Sequence, residues 1–126
     1  MSRTIKFRAW DHKMMPKHKD DKEMTFFKLG EWYGGISYAP IMQFTGLLDK
    51  NGKEIYEGDV LYVRDYWSGE HPVDKVIGEV FFQEGAFWME NAKCLVGDIF
   101  AYAEVIGNVW ENTELLKNVR QGSQGE

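Results

Sequence analysis

Three histidines, one cysteine and a knot of carboxylates are the reactive side chains that stand out in this chain of 126 residues. His12 and His18 lie six positions apart in a polar stretch, and His71 stands alone. A zinc site draws on four ligands at short paired spacing. The chain has no CxxC and no HExxH, so the histidines read as solvated loop residues and no metal is expected. Cys94 follows Lys93, a neighbour that can lower a thiol pKa. The run Cys94-Leu95-Val96 is apolar, which points instead to an inert core thiol. GxSxG, the phosphate-binding glycine loop and GxGxxG are all missing from the sequence. The expectation is a protein without catalytic residues and without a cofactor, hence not an enzyme.

The carboxylates Asp49, Glu54, Glu57 and Asp59 cluster around two glycine turns. Such a group can supply an acid–base pair or hard-cation ligands. The plainer reading is structural. Asp49 precedes Asn51-Gly52 and Asp59 follows Gly58, places where an Asp oxygen accepts from turn amides. Asn51-Gly52 is expected to supply the positive φ angles of a tight reversing turn, and Asn51, Gly52, Gly58, Asp59 and Gly107 are taken as turn residues.

Aromatics make up 15% of the chain, more than a small core can wholly cover. Trp10, Trp32, Tyr33, Tyr38, Tyr66 and Trp67, with Arg8 and Arg64 beside them, form the candidate interaction surface. Such residues stack on bases, hold a peptide or fill a subunit interface. The same residues can equally fold back as core and lid, and the sequence leaves these options open.

Charge narrows the choice. The net charge is −5, yet residues 1–28 hold eight bases and four acids, a local +4, against −9 for the rest. A basic arm of Lys6, Arg8, Lys13, Lys17 and Lys19 can contact phosphate. The bases alternate with acids and form no long block, so pairing with the chain's own acidic body is the simpler account. Nucleic acid is a possible partner that the acidic balance does not favour. No apolar run approaches the ~20 residues of a membrane span, no leader segment is visible at the start, and one cysteine suits a reducing cytoplasm.

These residues need a scaffold, and helix signals are scarce. Residues 5–10 alternate at period two, with Lys6, Arg8 and Trp10 on one face. Further strands are expected at 24–29, 41–45, 54–56, 60–63, 76–82, 86–89 and 102–110. Residues 11–23, 30–39 and 64–74 read as loops, and Asn112 or Thr113 as the cap of a short turn. Short strands separated by close turns favour a sheet that closes on itself. From Ile41 onward this predicts a five- or six-stranded barrel, with Gly78 and Gly107 at its corners.

Four blocks carry a family resemblance. They are Ile5-Lys6-Phe7-Arg8-Ala9-Trp10-Asp11, residues 41–47, the run 49–60 (DKNGKEIYEGDV) and Glu104-Val105-Ile106-Gly107-Asn108-Val109 with Glu111-Asn112. In this order they resemble the YopX family of small phage and prophage proteins. One departure is Thr113, where proline is expected. The resemblance implies an SH3-type barrel, a phage or prophage origin and a site inside a bacterium. It carries no known activity and no catalytic residue.

The combined expectation is an all-β fold: a small SH3-type barrel with an N-terminal β extension, long loops and one short C-terminal helical turn. Residues 1–39 would pack on a barrel of residues 40–119, followed by a disordered tail, 120–126. The function expected is non-enzymatic contact with a phage or host protein as a homo-oligomer in the host cytoplasm, or, alternatively, nucleic-acid binding.

Overall fold

Alternation at period two makes most of the strands, and short glycine turns decide how they fold back. The structure, a computed structural model, describes residues 5–12, 22–28, 40–68, 71–92 and 94–117. In the first sheet β1 (Lys6–His12) pairs along its length with β2 (Lys22–Lys28), and by three residue pairs with β3 (Ile41–Leu48). Strand β4 (Glu54–Tyr56) completes the antiparallel order β2-β1-β3-β4. The second sheet holds β5 (Asp59–Ser68), β6 (His71–Gln83), β7 (Ala86–Met89), β8 (Cys94–Leu95) and β9 (Ala103–Asn108). Its order is β8-β7-β6-β5-β9, again antiparallel. One short helix, α1 (Val96–Ile99), and a 3-10 turn over Phe100–Tyr102 lead into β9. The expected all-β class holds.

The core lies within the second sheet and under α1. Leu61, Val80, Met89, Val96 and Ala103 are almost fully buried there, and Ile55 of β4 in the first sheet packs into the same cluster. Burying a Leu, Ile or Val side chain stabilises a fold by ~1.5–3 kcal/mol, so this cluster carries the second sheet. Three backbone bonds bring the sheets together. Lys50 N–H donates to Ala103 O (2.9 Å), Gly58 N–H to Val80 O (2.9 Å) and Val109 N–H to Gly58 O (2.9 Å). Gly58 has φ +84° and sits against Met42 Sδ and Trp110 Nε1, so both its conformation and its lack of a side chain are used. At Gly78 the need is space: a Cβ there would lie 2.0 Å from the Glu90 carbonyl oxygen. At Gly107 it would meet Asn112 Oδ1 at 2.6 Å, beside a register shift in the β5–β9 pairing.

Three expectations are corrected. Residues 64–74 are not a long loop. Strands β5 and β6 run on through them, with Tyr66 opposite Val73, Trp67 opposite Pro72 and Ser68 opposite His71. Tyr66, Trp67 and Val73 favour extended backbone and outweigh Pro72, which sits near the end of the hairpin. Of Asn51-Gly52 only Gly52 takes a positive φ, +83°, because the turn is a wider clasp closed by Asp49 N–H to Lys53 O (2.7 Å). Arg8, expected on an outward face, is only 5% exposed, for reasons its partners explain below. Asn112 accepts from the Asn108 N–H through Oδ1 (3.1 Å), so its side chain closes the turn after β9. The tail 120–126 and the loop 30–39 lie outside the described residues.

Candidate protein-binding groove

The first sheet meets the second at a seam that begins with Arg8. Its position on β1 carries the guanidinium over β4 and into the β4–β5 turn. There Nη2 lies 2.8 Å from Asp59 Oδ1 and donates to Glu57 O at 3.0 Å. The guanidinium also lies over the Tyr56 ring, 4.8 Å from its centroid, a cation–π contact. Arg8 Nε is buried and has no hydrogen-bond partner among the described residues. Asp59 accepts in turn from Tyr56 N–H through Oδ2 (2.8 Å). Burial pushes the Asp59 carboxyl above its ordinary range, although Arg8 and the Tyr56 amide oppose the shift. Tyr56 is raised too, chiefly by burial.

The other acids of the sequence cluster each serve a different partner. Asp49 Oδ1 accepts from Asn51 N–H and Lys53 N–H, both at 2.8 Å, and Oδ2 accepts from Val105 N–H at 2.9 Å. Burial alone would raise its pKa. Three amides and the charge of Lys53 prevail and hold it below the ordinary value. Glu54 pairs with Lys6 and accepts from Tyr56 O–H. Glu57 Oε1 accepts from Gln43 N–H (2.8 Å). These four carboxylates are thus spread over two turns and a strand rather than gathered at one centre. No group of three or more His, Cys, Asp or Glu placed to hold a metal occurs among the described residues.

Beside the ion pair a groove of about 330 Å³ opens between β3 and β6. Its floor is Gly58, and Met42 and Trp110 close one end, with Trp110 Nε1–H donating to Met42 Sδ at 3.0 Å. Ile41 stands on one rim and Phe82 on the other, 56% and 52% exposed. Glu57 and Glu79 add acidic character, and among the described residues no Lys or Arg lines it. A second hollow over Trp88 and Met89 shares Glu79 and Phe81 with this one. Apolar walls with a few polar groups suit a side chain of a partner protein, and exposed large apolar residues grouped together mark contact sites.

Among the described residues, none of the sequence-derived surface lines this groove. Trp10 is half-buried on β1, and Arg64 is exposed on β5. Trp32, Tyr33 and Tyr38 lie outside the described residues, as do the side chains of Tyr66 and Trp67. Of the basic arm, Lys6 and Arg8 pair with Glu54 and Asp59 of the same chain, and Lys13, Lys17 and Lys19 are outside the described residues. Cys94 is half-buried against the core. Sequence reasoning missed Ile41, Phe82 and the groove. One signal was available: Phe81 and Phe82 are adjacent in a strand, so one of the two must leave the core face.

The comparisons agree with this architecture. A family model described as YopX protein matches residues 6–117. Among solved structures the chain is similar to the crystal structure of protein EF1440 from Enterococcus faecalis, at 28% identity and a TM-score of 0.54. That match covers 91% of this chain and 99% of the other. No curated protein matches the chain. Among the described residues no helix is long and apolar enough to cross a membrane.

Proposed function

We propose, from the premise that this chain belongs to the YopX family, that it is a non-enzymatic accessory protein of a phage or prophage. In this reading it works in the bacterial cytoplasm through protein–protein contact and self-association. One observation carries the reading: the groove between the sheets, with Ile41 and Phe82 left exposed on its rims. Leaving two large apolar side chains in water forgoes the stabilisation that burial brings, and a protein surface seated on them recovers it.

Light scattering tests self-association, with Ile41→Asp and Phe82→Glu as probes. The wild type is expected to run above monomer mass and either variant to shift toward monomer while keeping its melting temperature. A wild-type monomer at its highest soluble concentration, with no partner recovered from phage-infected cells, overturns the reading. Nucleic-acid binding is the second reading, supported by the +4 balance of residues 1–28. Against it, Lys6 and Arg8 already have acidic partners. Binding to labelled DNA or RNA that falls steeply with salt would favour it.

A further inference from the structure

The N-terminal hairpin is built as a unit and is keyed to the rest of the chain by charge. Strands β1 and β2 pair over seven residues, Lys6 with Lys28 through His12 with Lys22. Phe7 stacks on Phe27 within the hairpin at 5.5 Å. On its other edge β1 pairs with β3 at three positions, Phe7 with Gln43, Arg8 with Met42 and Ala9 with Ile41. The docking is completed by side chains: Lys6 to Glu54, Arg8 to Asp59 and the Glu57 carbonyl, and Phe26 edge-on to Tyr56 with ring centroids 5.6 Å apart. The chain between Lys28 and Pro40 is eleven residues, able to reach ~40 Å when extended. An identical receptor of Glu54, Glu57 and Asp59 exists on every other copy.

We infer that copies of this chain associate by exchanging the β1–β2 hairpin, so that Arg8 of one copy enters the Asp59 site of the next. The inference rests on the self-association reading above and adds to it a contact apart from the groove. The exchanged contacts are the intramolecular ones, so exchange removes no pairing. Concentration then decides between closed monomer and swapped assembly. Each site in the assembly is completed by a second copy.

A charge-reversal complementation tests this. Arg8→Asp puts two acids at the site and Asp59→Arg two bases, so each variant alone is expected to lose much of its melting temperature or to stay unfolded. Mixed, unfolded in urea and refolded together, they can satisfy both sites only across copies. The native Arg8 of one variant then meets the native Asp59 of the other, and the two introduced side chains meet at the second site. Hairpin exchange predicts a hetero-oligomer that recovers most of the lost melting temperature. The single-chain variant carrying both reversals shows whether the inverted pair is tolerated. If it is not, recovery is expected at one of the two sites only.

A second measurement is independent of charge. In a Cys94→Ser background, Ala9→Cys with Ile41→Cys places thiols at facing positions of β1 and β3. After oxidation, exchange gives covalent dimers on a non-reducing gel. A mixture that melts as the two variants separately, with monomeric disulfides only, overturns exchange. Wild-type oligomers seen alongside that result leave self-association through the groove standing; wild-type monomers remove both.

Discussion

The turn around Asp49 and the turn around Asp59 look alike in sequence and are stabilised in opposite ways. Each places an Asp beside a glycine of positive φ, Gly52 at +83° and Gly58 at +84°. Asp49 is satisfied by backbone amides alone, two from its own turn and one from Val105. Asp59 has one amide, and its second oxygen faces a guanidinium brought from 51 positions away. Amides that already point inward stabilise a carboxylate without burying a second charge. An arginine partner must itself be desolvated, and a buried ion pair repays that cost only with good geometry. The first turn reaches the second sheet through neutral backbone groups, at Val105 and Ala103, whereas the second reaches the first sheet through a buried charge pair.

That contrast makes Arg8→Ala the most damaging of the substitutions considered. It strands the Asp59 charge in a site only 2% exposed, and breaking a buried pair from one side costs about 3–5 kcal/mol. Urea denaturation measures it. The double variant Arg8→Met with Asp59→Leu removes both charges and is expected to recover most of the loss, since apolar replacements of buried pairs are often neutral. A loss below ~1 kcal/mol for Arg8→Ala would place the pair among surface salt bridges and erase the distinction between the two turns.

Asp49→Ala comes next, at about 2–3 kcal/mol, because the buried Val105 amide and two turn amides lose their acceptor. The two aspartates also separate by pH. The Asp49 pKa is lowered in the fold, so its contribution is present above the unfolded value near 3.8 and is lost as pH falls through the folded one. The Asp59 pKa is raised, so its contribution is greatest below 3.8 and is lost as pH rises through the folded value. The stability deficit of Asp49→Asn is therefore expected to shrink toward acid, and that of Asp59→Asn to grow. Denaturation curves across the acid range check this, and parallel deficits would contradict it.

Legibility in the sequence follows the same divide. The turn roles of Asp49 and Asp59 were readable because their amide partners lie a few positions away, apart from Val105. Strands 54–56, 76–82 and 86–89 were readable because alternation and the Glu84-Gly85 turn agree. Arg8 was misplaced because period-two reasoning assumes one wet face. Strand β1 has β2 on one edge, β3 on the other and the β4–β5 turn over the Arg8 face, so Arg8 is buried, as is Ala9 on the opposite face. The groove was unreadable for a related reason. Ile41 and Phe82 come from different sheets and line one groove only once the two sheets are brought together.

The glycines complete the comparison with its smallest effects. Both take a backbone conformation that costs an L-residue ~1–2 kcal/mol, but their surroundings differ. Gly52 has open space where a Cβ would go, whereas at Gly58 a Cβ would press on Met42 Sδ at 3.0 Å and Trp110 Nε1 at 3.3 Å. Gly58→Ala is expected to lose about 2 kcal/mol, conformation plus crowding, and to loosen the Met42–Trp110 contact at the end of the groove. Gly52→Ala is expected to lose about 1 kcal/mol, the conformational cost alone. Melting temperatures and tryptophan fluorescence measured together read both effects. Equal losses with an unchanged spectrum would mean that Met42 yields freely, and that the groove floor tolerates a methyl group where the structure has none.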